Sequence, residues 1–248
     1  MRNFLCLFFL ISGLVTAQEE NLHYPLWFLE TGRVACPHIS VGYATLSPYV
    51  HNSILAAKKS AVENYLHLKK FSVKGGQAFW KTERGVISEG NNIKEKFDTT
   101  SFSSLMISSV ILDSFVSKEI VSVLISISDC NISNSQRNLI KVENENQPQW
   151  VSSIPKEKNF VHQVGISQGY SYEISSWENA ERHARLNIAR TAGNIKIESR
   201  GRSSAKSADE IQNEEMEATV NYAEIVARWR DTVENIYYVL ARYPSINK

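Results

Sequence analysis

Residues 164–187 read VGISQGYSYEISSWENAERHARLN, and residues 41–64 read VGYATLSPYVHNSILAAKKSAVEN. The two align without a gap. At this constant shift of 123 residues Val41-Gly42 falls on Val164-Gly165, Tyr49 on Tyr172, Ser53 on Ser176, Ala57 on Ala180, Ala61 on Ala184 and Asn64 on Asn187. Upstream, Pro25-x-Trp27 recurs as Pro148-x-Trp150 at the same shift. Farther along, 119–124 resembles 235–240 at a shift of 116, so the second copy is shorter between its helix and its last strand. Self-similarity at a fixed long period is the mark of a repeated structural unit.

Each copy reads as a short strand ending near the Val-Gly pair (39–45; 160–167), a turn, and an amphipathic helix. In the second copy Trp177, Ala180, Ala184, Ile188 and Thr191 share one helical stripe, Ser175 and Glu178 have capping-box spacing, and Gly193-Asn194 closes the helix. In the first, Ile54, Ala57, Ala61, Tyr65 and Leu68 make the equivalent stripe. Alanines at the two middle positions let a helix backbone lie close on a sheet. Strand patterns follow. Ile195 and Ile197 alternate with Lys196 and Glu198; Ile225, Ala227 and Trp229 alternate with Val226, Arg228 and Arg230; a turn at 231–235 leads into 236–243; and Val121, Val123, Ile125 and Ile127 alternate with Ser122, Leu124 and Ser126. The expectation is an α+β protein of two tandem modules, each a strand-helix-strand-strand unit with one helix on an antiparallel sheet.

The chain opens on Met1-Arg2-Asn3, an apolar run from Phe4 to Val15, and Val15-Thr16-Ala17. That is the pattern of a secretory signal over 1–17, and the run is short for a membrane span. Cys6 lies inside the apolar run rather than just after it, so no lipid attachment site follows. The first module is expected over 18–127, a linker over 128–147, where Asn, Ser and Gln dominate, and the second module over 148–248. With 27 basic and 26 acidic residues the chain has no single-sign field to gather nucleic acid or an anionic membrane.

Cys36 and Cys130 remain after cleavage. Cys36 precedes the first strand of its module and Cys130 follows the last, so a disulfide between them is expected if those strands are antiparallel neighbours. The alternatives are two free buried thiols, or for Cys36 a nucleophile beside His38, for which no orienting acid is evident. The histidines at 23, 38, 51, 67, 162 and 183 show no metal-ligand spacing. Lys196, Arg200, Arg202 and Lys206 form a basic arm followed by acidic Asp209, Glu210, Glu214, Glu215 and Glu217; the reading is a hairpin whose opposite charges offset each other. The second module is aromatic, and Trp229, Tyr237, Tyr238, Arg228 and Arg230 are the expected partner surface. No catalytic, cofactor or metal residue is assigned.

Pro148, Trp150, Val164, Gly165, Ala180, Ala184 and Arg185, the last three an Ala-x-x-x-Ala-Arg helix, resemble the LPP-twenty type of small bacterial envelope lipoprotein. A similar module stands at the N-terminus of the flagellar T-ring protein. In the first copy Pro25, Trp27, Gly42, Ala57 and Ala61 carry the likeness, with Val62 where the second has Arg185. The family is typically lipidated, and this chain lacks the cysteine for it. The resemblance implies a dodecin-like module, an antiparallel sheet wrapping a helix. It also implies an exported, non-enzymatic protein of the periplasm or outer envelope, acting on other envelope proteins or on itself, without a cofactor. A small-ligand carrier with a cavity between helix and sheet is the alternative.

Overall fold

The computed structural model describes residues 22–82, 85–204 and 207–245, and the side chains of these except within 77–91 and 199–212. The expected signal segment therefore lies outside the described residues. The fold is mixed α+β with antiparallel sheets. The first module runs β1 (His23–Pro25), α1 (Leu26–Leu29), β2 (Ile39–Ala44), α2 (Val50–Lys69), β3 (Lys70–Thr82), β4 (Gly85–Asn91), β5 (Lys94–Phe97), α3 (Phe102–Ser108), β6 (Val110–Val116) and β7 (Val121–Ser126). After β8 (Leu139–Lys141), the second runs α4 (Gln149–Ser152), β9 (Phe160–Gln168), α5 (Glu173–Ala192), β10 (Asn194–Ser204), β11 (Ser207–Asn221), β12 (Glu224–Asp231) and β13 (Ile236–Pro244).

The sheets obey the repeat. In the first module the order is β2-β7-β6 and in the second β9-β13-β12, all antiparallel, with α2 and α5 in corresponding places. Helix and sheet meet at one point in each copy. A Cβ on Gly42 would lie 2.0 Å from the Ala61 nitrogen and 2.2 Å from the Ala57 carbonyl oxygen; on Gly165 it would lie 2.2 Å from the Ala184 nitrogen and 2.0 Å from the Ala180 oxygen. Only backbone against backbone fits. The flanking polar matches hold the same geometry. Asn64 Nδ2 donates to the Val41 carbonyl at 3.0 Å and Asn187 Nδ2 to the Val164 carbonyl at 2.8 Å. The serine hydroxyls at 53 and 176 accept from the Ser47 and Tyr170 amides, both at 2.8 Å.

That last contact replaces the expected capping box. Helix α5 begins at Glu173 with Tyr172 in the N-cap position and no side-chain cap, so Ser175 and Glu178 sit inside its first turns. Ser176 instead ties the incoming loop to the helix.

Between the two modules the connection is intimate. The long strands β3 and β11 pair over twelve residues, from Lys70↔Asn221 to Lys81↔Glu210, so one five-stranded sheet, order β10-β11-β3-β4 with β5 also on β3, draws strands from both modules. Its core-facing residues include Phe71 and Val73 from the first module and Met216, Ala218 and Val220 from the second. A single apolar cluster spans both modules, with Trp27, Phe28, Leu124, Trp177, Ile188 and Val239 all fully buried.

The segment 128–147, expected as a linker, is packed along this body rather than looping free. Ile132 and Val142 are buried, β8 pairs with β1, and Asn144 bonds Asp231 and Thr232 in the turn before β13. Asn and Gln composition suits this role, because the side-chain amides satisfy turn backbone groups.

Replacing Gly42 or Gly165 by alanine forces the helix off its sheet, at a cost of about 3 kcal/mol for an overpacked site. Denaturant unfolding of Gly42→Ala and Gly165→Ala is expected to show a loss of that order in each.

Candidate functional site

Helix α5 has two working faces. One, with Ala180, Ala184 and Ile188, lies on the β9–β13 sheet. The other carries Glu173, Trp177, Glu181 and Arg185 at successive four-residue steps and faces the first module. Two carboxylates there are buried: Glu173 is 5% exposed and Glu181 2%. Burying a charge is costly unless it is paired and hydrogen-bonded, and each has partners from across the seam.

Glu181 Oε1 accepts hydrogen bonds from Arg228 NH2 at 2.7 Å, from Arg228 Nε at 3.2 Å and from Tyr43 OH at 2.5 Å. Arg228 Nε also donates to Tyr43 Oη at 2.7 Å, and its NH1 donates to Thr31 Oγ1 at 2.8 Å and to the Phe28 carbonyl at 3.2 Å. The guanidinium lies 5.2 Å from the Phe28 ring centre. Tyr43, Thr31 and Phe28 belong to the first module, Glu181 and Arg228 to the second. Glu173 accepts from the Tyr24 hydroxyl and, at 2.9 Å, from Trp177 Nε1. Burial pushes both the Tyr24 and Tyr43 phenols well above their ordinary value, so both remain protonated donors. A third carboxylate, Glu95 on β5, takes Arg182 Nε at 2.6 Å and Arg185 Nε at 3.2 Å. Beside it His67 stacks on Phe97 with ring centres 3.7 Å apart. Burial, with the Arg185 charge adding to it, pushes the His67 imidazole down to about 4.

Next to the Glu181–Arg228 pair a cleft of about 200 Å³ opens between the modules. One wall is the Cys36–Val41 segment and the end of α2; the other is the turn from Tyr222 to Ile225. Asn64 and Glu181 separate it from a wider, polar hollow between α2 and α5.

The expected site residues fall differently. Cys36 and Cys130 are joined as a disulfide, Cα atoms 5.9 Å apart, because β2 and β7 are antiparallel neighbours with Ile39 opposite Ser126. The thiol is thereby consumed, and His38 packs edge-on against Tyr65 instead of serving it as a base. The expected partner surface is largely interior. Arg228, Trp229 and Tyr237 are 3%, 4% and 2% exposed, while Tyr238 packs on Trp229 and the Arg230 guanidinium lies over Tyr237. The reason is that α1 and the turn at 31–33 of the first module cover β12, with Gly32 against Val226. In the charged hairpin the register sets Lys196 opposite Glu215 and Arg202 opposite Asp209; the side chains of Arg200, Arg202, Asp209 and Glu210, and all of Lys206, lie outside the described residues. Glu217 pairs with Lys74 and Glu214 with Arg190. Of the motif residues, Trp27 is fully buried with its Nε1 on Asp113 at 2.9 Å, and Trp150 packs partly buried on the core. Among the described residues no group of three His, Cys, Asp or Glu side chains is placed to hold a metal, and no helix is long and apolar enough to cross a membrane.

No protein-family profile, curated protein or solved structure matches the chain. The seam must therefore be read from its own chemistry. Sequence reasoning missed Glu173 and Glu181 because the alanine stripe beside them accounts for the helix. The signal is their four-residue spacing with Trp177 and Arg185; Trp177, which the sequence pattern groups with the alanine stripe, stands between the two faces, against Tyr237 of the sheet and Phe28 across the seam.

Arg228→Ala leaves Glu181 buried without its cation, and a stability loss of roughly 3–5 kcal/mol is expected from chemical denaturation; Glu181→Met with Arg228→Met should lose less than that single change. The His67 imidazole, depressed in the folded state, is protonated first in the unfolded chain. Its contribution is complete above the ordinary histidine value of 6.5 and is lost as pH falls from there toward about 4. Urea midpoints measured across that window should decline, and less steeply in His67→Gln.

Proposed function

We propose that the protein is an exported, non-catalytic interaction protein of a bacterial cell envelope, of the LPP-twenty type, that associates with a second copy of itself. Strand β10 carries this reading. It is an outer strand of the sheet shared by the two modules, bonded to β11 on one side, and among the described residues no strand pairs with its other side, which presents main-chain donors and acceptors along Asn194–Ser204. Ile195 and Ile197 are 41% and 57% exposed on the face that Met216 and Ala218 continue into the core. The strand is also self-complementary. With two copies antiparallel about Ile197, Lys196 of each meets Glu198 of the other and the two Ile197 side chains meet at the centre.

The disulfide supports export, since such bonds persist in oxidising compartments. The N-terminal basic and apolar run supports it as well. A carrier with its cavity between helix and sheet has less support, because the glycine–alanine contacts close that seam in both modules.

Sedimentation of the oxidised protein is expected to give a dimer, and Ile197→Lys a monomer with an unchanged far-UV spectrum. A wild-type monomer at tens of micromolar concentration, roughly where weak interfaces of this size associate, sinks the edge-strand reading.

A further inference from the structure

We propose that the cleft between the modules is a binding site for a small amphipathic monocarboxylate, an acid with a compact aromatic or branched apolar body. At about 200 Å³ it is below the range of drug-sized pockets, so its ligand is fragment-sized. The walls that receive the body are apolar, from Val41 and Leu68 on one side to Ile225 on the other.

The floor is the Glu181–Arg228 pair. Both side chains are almost wholly buried and turned on each other, on Tyr43 and on Thr31, so the ligand meets a fixed and electrically neutral base. At the mouth the charges do not cancel. Arg242 is held by Glu224 at 3.0 Å and approached by Glu157 at 3.9 Å, whereas no carboxylate among the described residues lies within ion-pairing distance of the exposed Lys69. The exposed Asp98 carboxyl is lowered first by its hydrogen bonds to Thr100 and then by the nearby Lys70 and Lys69 charges. A cation at the mouth of an apolar slot favours one negative charge on an apolar body.

Backbone strain marks the same place. Among the described residues three non-glycine positions have positive φ: His38 at 56°, Tyr222 at 59° and Asn235 at 51°. Asn235 is an ordinary left-handed asparagine in the turn before β13. Histidine, like asparagine, enters this region more readily than most, whereas the large Tyr222 ring makes it an outlier; His38 and Tyr222 stand on opposite walls of this cleft. Tyr222 is fixed there by its own amide, which donates to the Lys69 carbonyl at 2.9 Å, and by the Ala223 amide on the Leu68 carbonyl. The turn at Tyr222 thus binds the second module to the end of α2 through its backbone. Conformations of this cost persist where the surroundings over-determine them, commonly at ligand sites.

The test uses the oxidised full-length mature protein with phenylacetate and 4-methylpentanoate as probes, titrated by calorimetry and by NMR. Saturable binding of one molecule per chain is expected, with Kd of about 1 mM or tighter for about ten non-hydrogen atoms. Lys69→Gln, a surface change, should weaken it about tenfold, and Ala223→Phe should fill the slot and abolish it. Phenylacetamide should bind at least tenfold more weakly than phenylacetate. The proposal is overturned by absence of saturation with both acids, by equal binding of the amide, by an unchanged affinity in Lys69→Gln, or by phenyl phosphate binding tighter than phenylacetate. Ile197→Lys should bind like the wild type, which keeps this result separate from the edge-strand association.

Discussion

The structure depends on two contacts in which a helix backbone rests on a strand backbone. At Gly42 and Gly165 there is no volume for a methyl group, and the alanines at 57, 61, 180 and 184 are the helix side of the same constraint. Such an approach fixes a helix in height, rotation and register at once, since interiors are close-packed and shift in discrete steps rather than continuously. The asparagine and serine contacts add direction, each joining a helix to its strand or to the loop that precedes it. Once α5 is rotated by its alanines, the face that carries Glu173, Trp177, Glu181 and Arg185 has only one place to point. The seam between modules is therefore a consequence of packing inside a module.

That seam is unusual in being both apolar and charged. Trp177 meets Phe28 and Tyr24 edge to face, with centres 5.4 and 6.0 Å apart, while Tyr24 and Phe28 stack in parallel at 4.8 Å. The aromatic burial supplies the favourable free energy; the ion pair, once desolvated, contributes little net stability. What it supplies is selectivity of arrangement. A module rotated by one helical position would leave Glu181 or Arg228 alone in a low-dielectric interior, which is far worse than leaving a leucine unmatched. Long β3–β11 pairing reinforces this, because a slip of one residue would move Phe71, Val73, Ala218 and Val220 from the core face to the outer one.

Much of this could be read from the chain alone, and the pattern of what could not is physical. The repeat was legible because backbone contact tolerates so few residue types that two copies must share them. The strands β7 and β12 were legible from alternation, β2 and β9 from the Val-Gly pair that ends each, and β13 from the turn before it. Alternation, however, tells which residues share a face, not what covers it. In β7 all six residues are buried, Ser122 and Ser126 included, because α2 lies on one face and the main core on the other. For the same reason Trp229 and Tyr237 read as a surface and proved to be interior. Composition misled in 128–147, where two apolar residues, Ile132 and Val142, are enough to anchor a polar strap. The cleft was not legible at all, since residues 31–41 and 64–69 on one wall meet Glu181, 222–228 and Arg242, which lie more than a hundred positions farther along the chain.

The copies are alike where each module holds itself together and unlike where the modules meet. Val62 is buried in its own module, while Arg185, its counterpart, reaches Glu95 in the other. Lys58 stands on the first helix where the second has buried Glu181. A duplicated unit whose copies stayed identical would pair through a two-fold symmetric seam, with the same residues on both sides. Here the seam is asymmetric: around Glu181 and Arg228 one side gives hydroxyls, a backbone carbonyl and aromatic rings and the other gives the carboxylate and guanidinium, while at Glu95 the first side gives the carboxylate and the second the guanidinium groups of Arg182 and Arg185. Asymmetry of that kind is what makes a cleft with two chemically different walls. His38 and Tyr222, both at positive φ and without counterparts of each other's type, occur on those two walls. Unlike residues at the seam thus shape, between two similarly built units, a cleft whose walls neither unit supplies alone.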